Sequence, residues 1–210
     1  MKKIIIFVLL VSPFFVQAQF GVKGGLNFAR VSKTSDFNSS NQSGFNVGLF
    51  FAAPPTKILS FQSELLFSRQ GYNYKTTQNT GNVNLDYFTQ AQIMCINITK
   101  FFQLQFGAQT AILLSANVDS ANKTSGGTQP YANVTDLMNR FDYGYAVGFQ
   151  VHPFKGLLIG ARYNVSLAKL YSGLQTYQMP TFTSDDAKNN VVQLYAGWRF
   201  GGNKKTEKDK

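Results

Sequence analysis

Between Arg140 and Tyr171 the chain alternates with a period of two, and the two faces this makes are inverted relative to a protein in water. Phe141, Tyr143, Tyr145, Val147, Phe149 and Val151 fall on one parity, and Asp142, Gly144, Ala146, Gly148 and Gln150 fall on the other. A period of two is the pleat of a β-strand. A second arm repeats it, with Ile159, Ala161, Tyr163, Val165 and Leu167 opposite Gly160, Arg162, Asn164 and Ser166. Pro153 and Gly156 lie in the connection, so the whole reads as a hairpin. A soluble barrel turns its apolar face inward and covers the outside with Lys and Glu. Here the polar face is mostly Gly, Ser, Asn and Gln, which suits a narrow lumen and leaves the aromatic and branched face for lipid.

The rest of the chain agrees. Strands are predicted at FGVKGGLNFAR from Phe20, SGFNVGLFFAA from Ser43, ILSFQSELLFSRQ from Ile58, about 83–98, about 101–115, the two arms of the hairpin, and NVVQLYAGWRFG from Asn190. Pro54-Pro55 ends the second, because proline cannot donate to a ladder. Connections at 54–57, 99–100 and 152–156 are short, whereas 31–42, 71–82, 116–139 and 172–189 are long and polar. An even strand number with short and long connections in alternation predicts an all-β fold. It is an eight-stranded antiparallel up-and-down transmembrane β-barrel with short periplasmic turns and long external loops.

Composition narrows the function classes. Lys plus Arg number 20 against 10 Asp plus Glu, yet only 14% of residues are charged. The positive balance therefore comes from scarce acids and not from a dense basic patch, and no nucleic-acid partner is expected. Phe occurs 20 times against a single Trp, which fits lipid-facing strands. One cysteine, Cys95, rules out an internal disulfide framework. Lys2 and Lys3, the run IIIFVLLV and Val16-Gln17-Ala18 have the order of a secretory signal peptide, cleaved between Ala18 and Gln19. That apolar run is too short to span a bilayer. The expected organisation is a signal peptide over 1–18, a barrel domain over 19–202 and a polar tail over 203–210, in the cell outer membrane.

GVKGGLNFA at Gly21, FQLQFGAQTAILLSA at Phe102, and FDYGYAVGFQV followed by GLLIGARYNVSLAKLY carry a resemblance as well. Through them the chain resembles the PorT-like "outer membrane protein beta-barrel" family of Bacteroidota-type bacteria, over nearly its whole length up to Gly201. The resemblance implies a small integral outer-membrane barrel, and the name-giving member is associated with secretion and maturation of exported proteins. In the fourth strand this chain has Tyr87-Phe88-Thr89-Gln90-Ala91-Gln92 where the family commonly has a Leu-Glu-Ile-Pro-like run.

The inventory for catalysis is thin. His152, the only histidine, sits in a His-Pro turn, so no Ser-His-Asp arrangement can be assembled. Cys95 reads as a small lipid-facing hydrophobe. Asp185-Asp186 lacks the clustered acids of a calcium loop, and Gly21 to Gly25 lies within a strand where no helix follows to hold a phosphate. No catalytic residue, cofactor or metal is expected. The informative charges are Lys23, Glu64, Asp86, Asp142, Arg162 and Arg199, all on the polar parity as read from sequence and so predicted to form a lumen network. The favoured function is a non-enzymatic integral barrel that is structural or docks partners through its loops, as a secretion accessory for example. The alternative is a narrow pore for small solutes or ions. Expected partners are outer-membrane lipid and periplasmic or surface proteins.

Overall fold

In the computed structural model, which describes residues 19–32, 38–54, 57–75, 79–122, 133–172, 184 and 186–200, eight antiparallel strands close into one barrel. They are β1 Gln19–Ser32, β2 Asn38–Ala52, β3 Leu59–Lys75, β4 Asn79–Asn97, β5 Phe102–Asn122, β6 Phe141–Val151, β7 Leu157–Ser166 and β8 Lys188–Arg199. Each strand pairs with its sequence neighbours, and β1 meets β8 from Gly21 opposite Arg199 to Ser32 opposite Lys188, so no edge remains around the ring. The expected signal peptide with its cleavage point at Ala18, the tail over 203–210 and Asp185 lie outside the described residues.

The period-two patterns place one parity of each strand inside. On the outer face, Phe20, Val22 and Leu26 of β1, Phe45, Val47 and Leu49 of β2, and Tyr145, Val147 and Phe149 of β6 are exposed, and the remaining outward apolar positions around the ring are exposed or half-buried. In water this continuous apolar belt would drive association; in a bilayer it is the surface that hydrocarbon requires. The barrel is built to span a bilayer, with short turns at one end and longer connections at the other.

The barrel is taller on one side than sequence reading predicts. The connection expected over 71–82 is mostly strand, since β3 runs to Lys75, β4 starts at Asn79, and Lys75 lies opposite Thr80. Likewise β2 starts at Asn38, inside the loop expected over 31–42, and β5 continues to Asn122. With 21 residues in β5 against 10 in β7, one wall has about twice the roughly 9–11 residues a tilted strand needs to cross hydrocarbon. The reason is on the inner face of the raised wall. Tyr72 and Tyr74 of β3, Val83, Leu85 and Tyr87 of β4, and Leu113, Ala116 and Val118 of β5 are buried there. They pack against Val134 and Met138, which flank the short 3-10 turn Thr135–Leu137, and against Leu170 and Tyr171. This apolar cluster folds over the outer mouth, and the hydroxyls of Tyr72 and Tyr171 meet within it.

At the opposite end Gly156 has a φ of +92°, in the region that favours glycine. It completes the tight β6–β7 turn against the Trp198 ring.

Candidate functional site

The candidate site is the lumen. An eight-stranded barrel has an interior just wide enough to be filled by side chains, and here long polar ones cross it. Glu64, projecting inward from the middle of β3, is completely buried. Its carboxylate accepts from three directions. Lys23 Nζ on β1 lies 3.0 and 2.9 Å from the two oxygens. The Arg162 guanidinium on β7 donates through Nη1 and Nη2, each at 2.8 Å, and Gln62 Nε2 donates at 2.6 Å. The two-pronged arginine contact is the strong, geometrically fixed form of a charge pair. It joins residues 98 positions apart across the lumen.

The centre therefore holds two cations against one carboxylate, and Tyr195 of β8 takes part of the excess. Its ring lies 3.6 Å from Lys23 Nζ, and the Arg162 guanidinium is 5.3 Å from the same ring; an aromatic face attracts a cation most when water is excluded. Room for the phenol comes from Gly160, where an added Cβ would stand 2.5 Å from the Tyr195 ring. The Tyr195 hydroxyl donates to Gln105 Oε1 at 2.7 Å, and Arg162 Nη2 donates to the same oxygen at 2.8 Å.

From Gln105 the network descends toward the periplasm. Gln105 Nε2 donates to Gln150 Oε1 at 3.1 Å. His152 Nε2 lies 3.3 Å from Gln150 Nε2 and 3.1 Å from Gln103 Oε1. That nitrogen accepts from Gln150 when unprotonated and donates to Gln103 when protonated, so it serves one partner at a time. Burial, followed by the Arg199 cation, pushes the imidazole down to about 4. Toward the outside, Asn27 Nδ2 donates to Ser68 Oγ at 2.9 Å, Asn46 donates to Asn27 Oδ1 at 2.7 Å, and Gln70 donates to Ser68 at 2.9 Å. Above this amide layer sits the apolar cluster. The lumen is thus occupied from His152 to Tyr171 by hydrogen-bonded or packed side chains, and what it can do chemically is hold the wall together.

The predicted site residues divide as follows. Lys23, Glu64 and Arg162 come together. Asp142 is on the inner parity but stands apart near the outer end, accepting from Ser166 Oγ. Arg199 is on the inner parity at the periplasmic end of β8, separate from the carboxylate. Asp86 is a correction: it faces outward and accepts from Arg69 Nε at 2.7 Å and Nη2 at 2.9 Å. Cys95 is a second correction from the same cause, since it is buried in the lumen with Gln105 Nε2 at 3.9 Å from its sulfur. The faces of β4 do not sort into apolar outside and polar inside as on the other strands: Phe88, Met94 and Ile96 face outward beside polar residues, and apolar residues also face inward. Its inner face carries Val83, Leu85 and Tyr87, which join the upper apolar cluster, then Thr89, and then Ala91, Ile93 and Cys95, which form a second small cluster with Ala146 lower down. Its outer face carries Gln90 and Gln92, which accept from Thr110 at 3.3 Å and Ser63 at 2.7 Å on the flanking strands. Sequence reading also passed over Tyr195, Gln105 and Gln150 as network members; their inward parity was visible, their convergence on one oxygen was not.

The family model described as "Outer membrane protein beta-barrel domain" matches residues 15–172. No curated protein matches the sequence. Among solved structures, Ail, the attachment invasion locus protein of Yersinia pestis, is 18% identical with a TM-score of 0.50, covering 88% of this chain and all of that one. Neisserial surface protein A is 15% identical over 86% of this chain and 97% of that one, with a TM-score of 0.48. OprG of Pseudomonas aeruginosa is 11% identical over 88% and 97%, with a TM-score of 0.43. The likeness to Ail is one of fold.

Proposed function

The chain belongs to the outer membrane protein beta-barrel family, and from that premise we propose that it is a non-enzymatic anchor that acts at its surfaces and not through its interior. The observation that carries this reading is the filled lumen: Glu64 clamped by Lys23 and Arg162 at mid-height, under the cluster that closes the outer mouth. In this reading the side chains that fill the lumen among the described residues leave no path for a solute, and the barrel's work falls to what it displays. The raised wall of β2–β5 is the display. The part of the wall above the point where β6 stops pairing with β5, at Ile112 opposite Phe141, is in this reading what projects beyond the membrane. In this reading it docks a surface or secreted protein. The PorT-like resemblance makes accessory work in secretion the specific form of that docking, following export on a cleaved leader over 1–18. Photocrosslinking residues placed at Asn82 and Asn117, on the outside of the wall, test it in intact cells. Discrete protein adducts are expected from both positions and not from Phe106 on the lipid face. Adducts from none of the three would overturn docking by the wall.

A further inference from the structure

Between the heights of Phe61 and Phe67 the outer wall of β3–β5 departs from the rest of the ring. Ser63, Gln90, Gln92 and Thr110 all lie on its outward parity, exposed or half-buried. The strand register gathers them, since Ser63 pairs with Gln92, and Leu65, Gln90 and Thr110 form the next row. On the other strands the outward parity over 20–28, 45–51, 141–151, 157–165 and 192–198 carries only aliphatic, aromatic and glycine residues. The polar patch is at hydrocarbon depth. Ala91, between the two glutamines, pairs with Glu64 at the mid-height of the lumen, and apolar rows close the patch on both sides, Phe61 with Met94 below and Phe67 with Phe88 above. Local bonding leaves it half satisfied. Gln92 Oε1 accepts from Ser63 Oγ at 2.7 Å and Gln90 Oε1 from Thr110 Oγ1 at 3.3 Å, but neither glutamine Nε2 has an acceptor among the described residues.

We infer that this face joins two copies of the chain as a dimer within the membrane, with Gln92 at the two-fold axis. Hydrocarbon offers an amide N–H no acceptor and excludes the water that would supply one, so the occupant must be a protein that carries acceptors at the same depth. A second copy does. Copies inserted in the same orientation are related by an axis along the membrane normal, which sets each residue against residues of equal height. A glutamine on that axis meets its own counterpart. Each Nε2 then donates to the other copy's Oε1, because a carbonyl oxygen has a second lone pair beside the one that Ser63 uses. The contact line follows β3 and β4, where the small Ser63 lets the two walls approach, and Phe106 on β5 stays turned to lipid.

Fluorescence energy transfer in proteoliposomes, over a series of protein-to-lipid ratios, tests the pairing. Donor and acceptor dyes are carried on Lys155→Cys in the short β6–β7 turn, and the buried Cys95 stays out of their reach. In this labelled background transfer should rise with protein density as a two-body equilibrium. Adding Gln92→Leu should weaken association roughly tenfold, the scale of two hydrogen bonds between proteins in a membrane. It should do so without loss of urea resistance, since leucine suits lipid better than an unpaired amide. Val192→Leu, across the barrel on β8, should leave association unchanged. Transfer no greater than random encounter at every density, or undiminished association in Gln92→Leu, would overturn the dimer. A photocrosslinker at Met94 that captures a different protein in cells and never a second copy would overturn it as well, and assign the face to another partner.

Discussion

Replacing Glu64 with Gln removes the one carboxylate that Lys23 and Arg162 share while keeping nearly the same volume. Two buried cations are then left facing each other beside a neutral amide, with only the Tyr195 ring and Gln105 to receive them. Breaking a buried pair from one side costs about 3–5 kcal/mol, because the partner's desolvation is no longer offset. Glu64→Gln strands two partners, so it belongs at the top of that range. Arg162→Gln belongs lower, since the carboxylate keeps Lys23 at 2.9 Å and Gln62 at 2.6 Å. Combining the two should cost less than the sum by up to about 3 kcal/mol, the upper end for residues in one network. Urea titration of the barrel folded into liposomes, read by tryptophan fluorescence and by heat-modifiable migration on gels, gives the four free energies of the cycle. Additive losses would refute the network, and so would Arg162→Gln proving costlier than Glu64→Gln.

Two further perturbations probe other levels of the structure. Leu65, 40% exposed on the outer face of β3, should cost roughly 2–4 kcal/mol as Leu65→Arg in the same liposome assay if it sits in hydrocarbon; a loss under 1 kcal/mol would mean that this face meets water. His152 predicts a pH dependence. Its imidazole is held at about 4 in the barrel against 6.5 in the unfolded chain, so between those values the unfolded state binds the extra proton and stability falls as pH falls. Wild type should therefore lose more stability than His152→Asn on going from pH 7.5 to pH 5, and parallel losses would contradict the placement of His152 in the periplasmic seal.

The barrel was legible because its constraint is local and repeated. Every crossing strand needs an apolar parity for lipid, and runs such as Phe141 to Val151 show it without reference to the rest of the chain. The central triad was legible in part, since Lys23, Glu64 and Arg162 interrupt otherwise small polar faces. What sequence could not supply was height: which inward charges share a layer depends on shear and register between strands 41 and 98 residues apart. Hence Asp142 and Arg199 were grouped with a carboxylate they do not meet. Asp86 and Cys95 failed for a different reason. The expectation that polar means lumen breaks down in β4, whose inner face is apolar both in the upper cluster and in a lower one around Cys95, and whose outer polar groups find partners on adjoining strands. Tyr72 and Tyr74 alternate as strand residues do, but the Asn, Thr and Gly around them read as loop, so the upper pairing of β3 with β4 was missed.

The claim on which the functional account rests is that the lumen is shut. Single-channel recording of the purified barrel in planar bilayers tests it most directly, with Glu64→Ala, whose truncated side chain opens space between Lys23 and Arg162, measured alongside. The account predicts that wild type gives no unitary steps above the lipid baseline over hours of recording at moderate voltage, and that openings arise only in the variant if at all. Reproducible unitary conductance from wild type, scaling with salt, would contradict it and make the interior the functional part of the molecule.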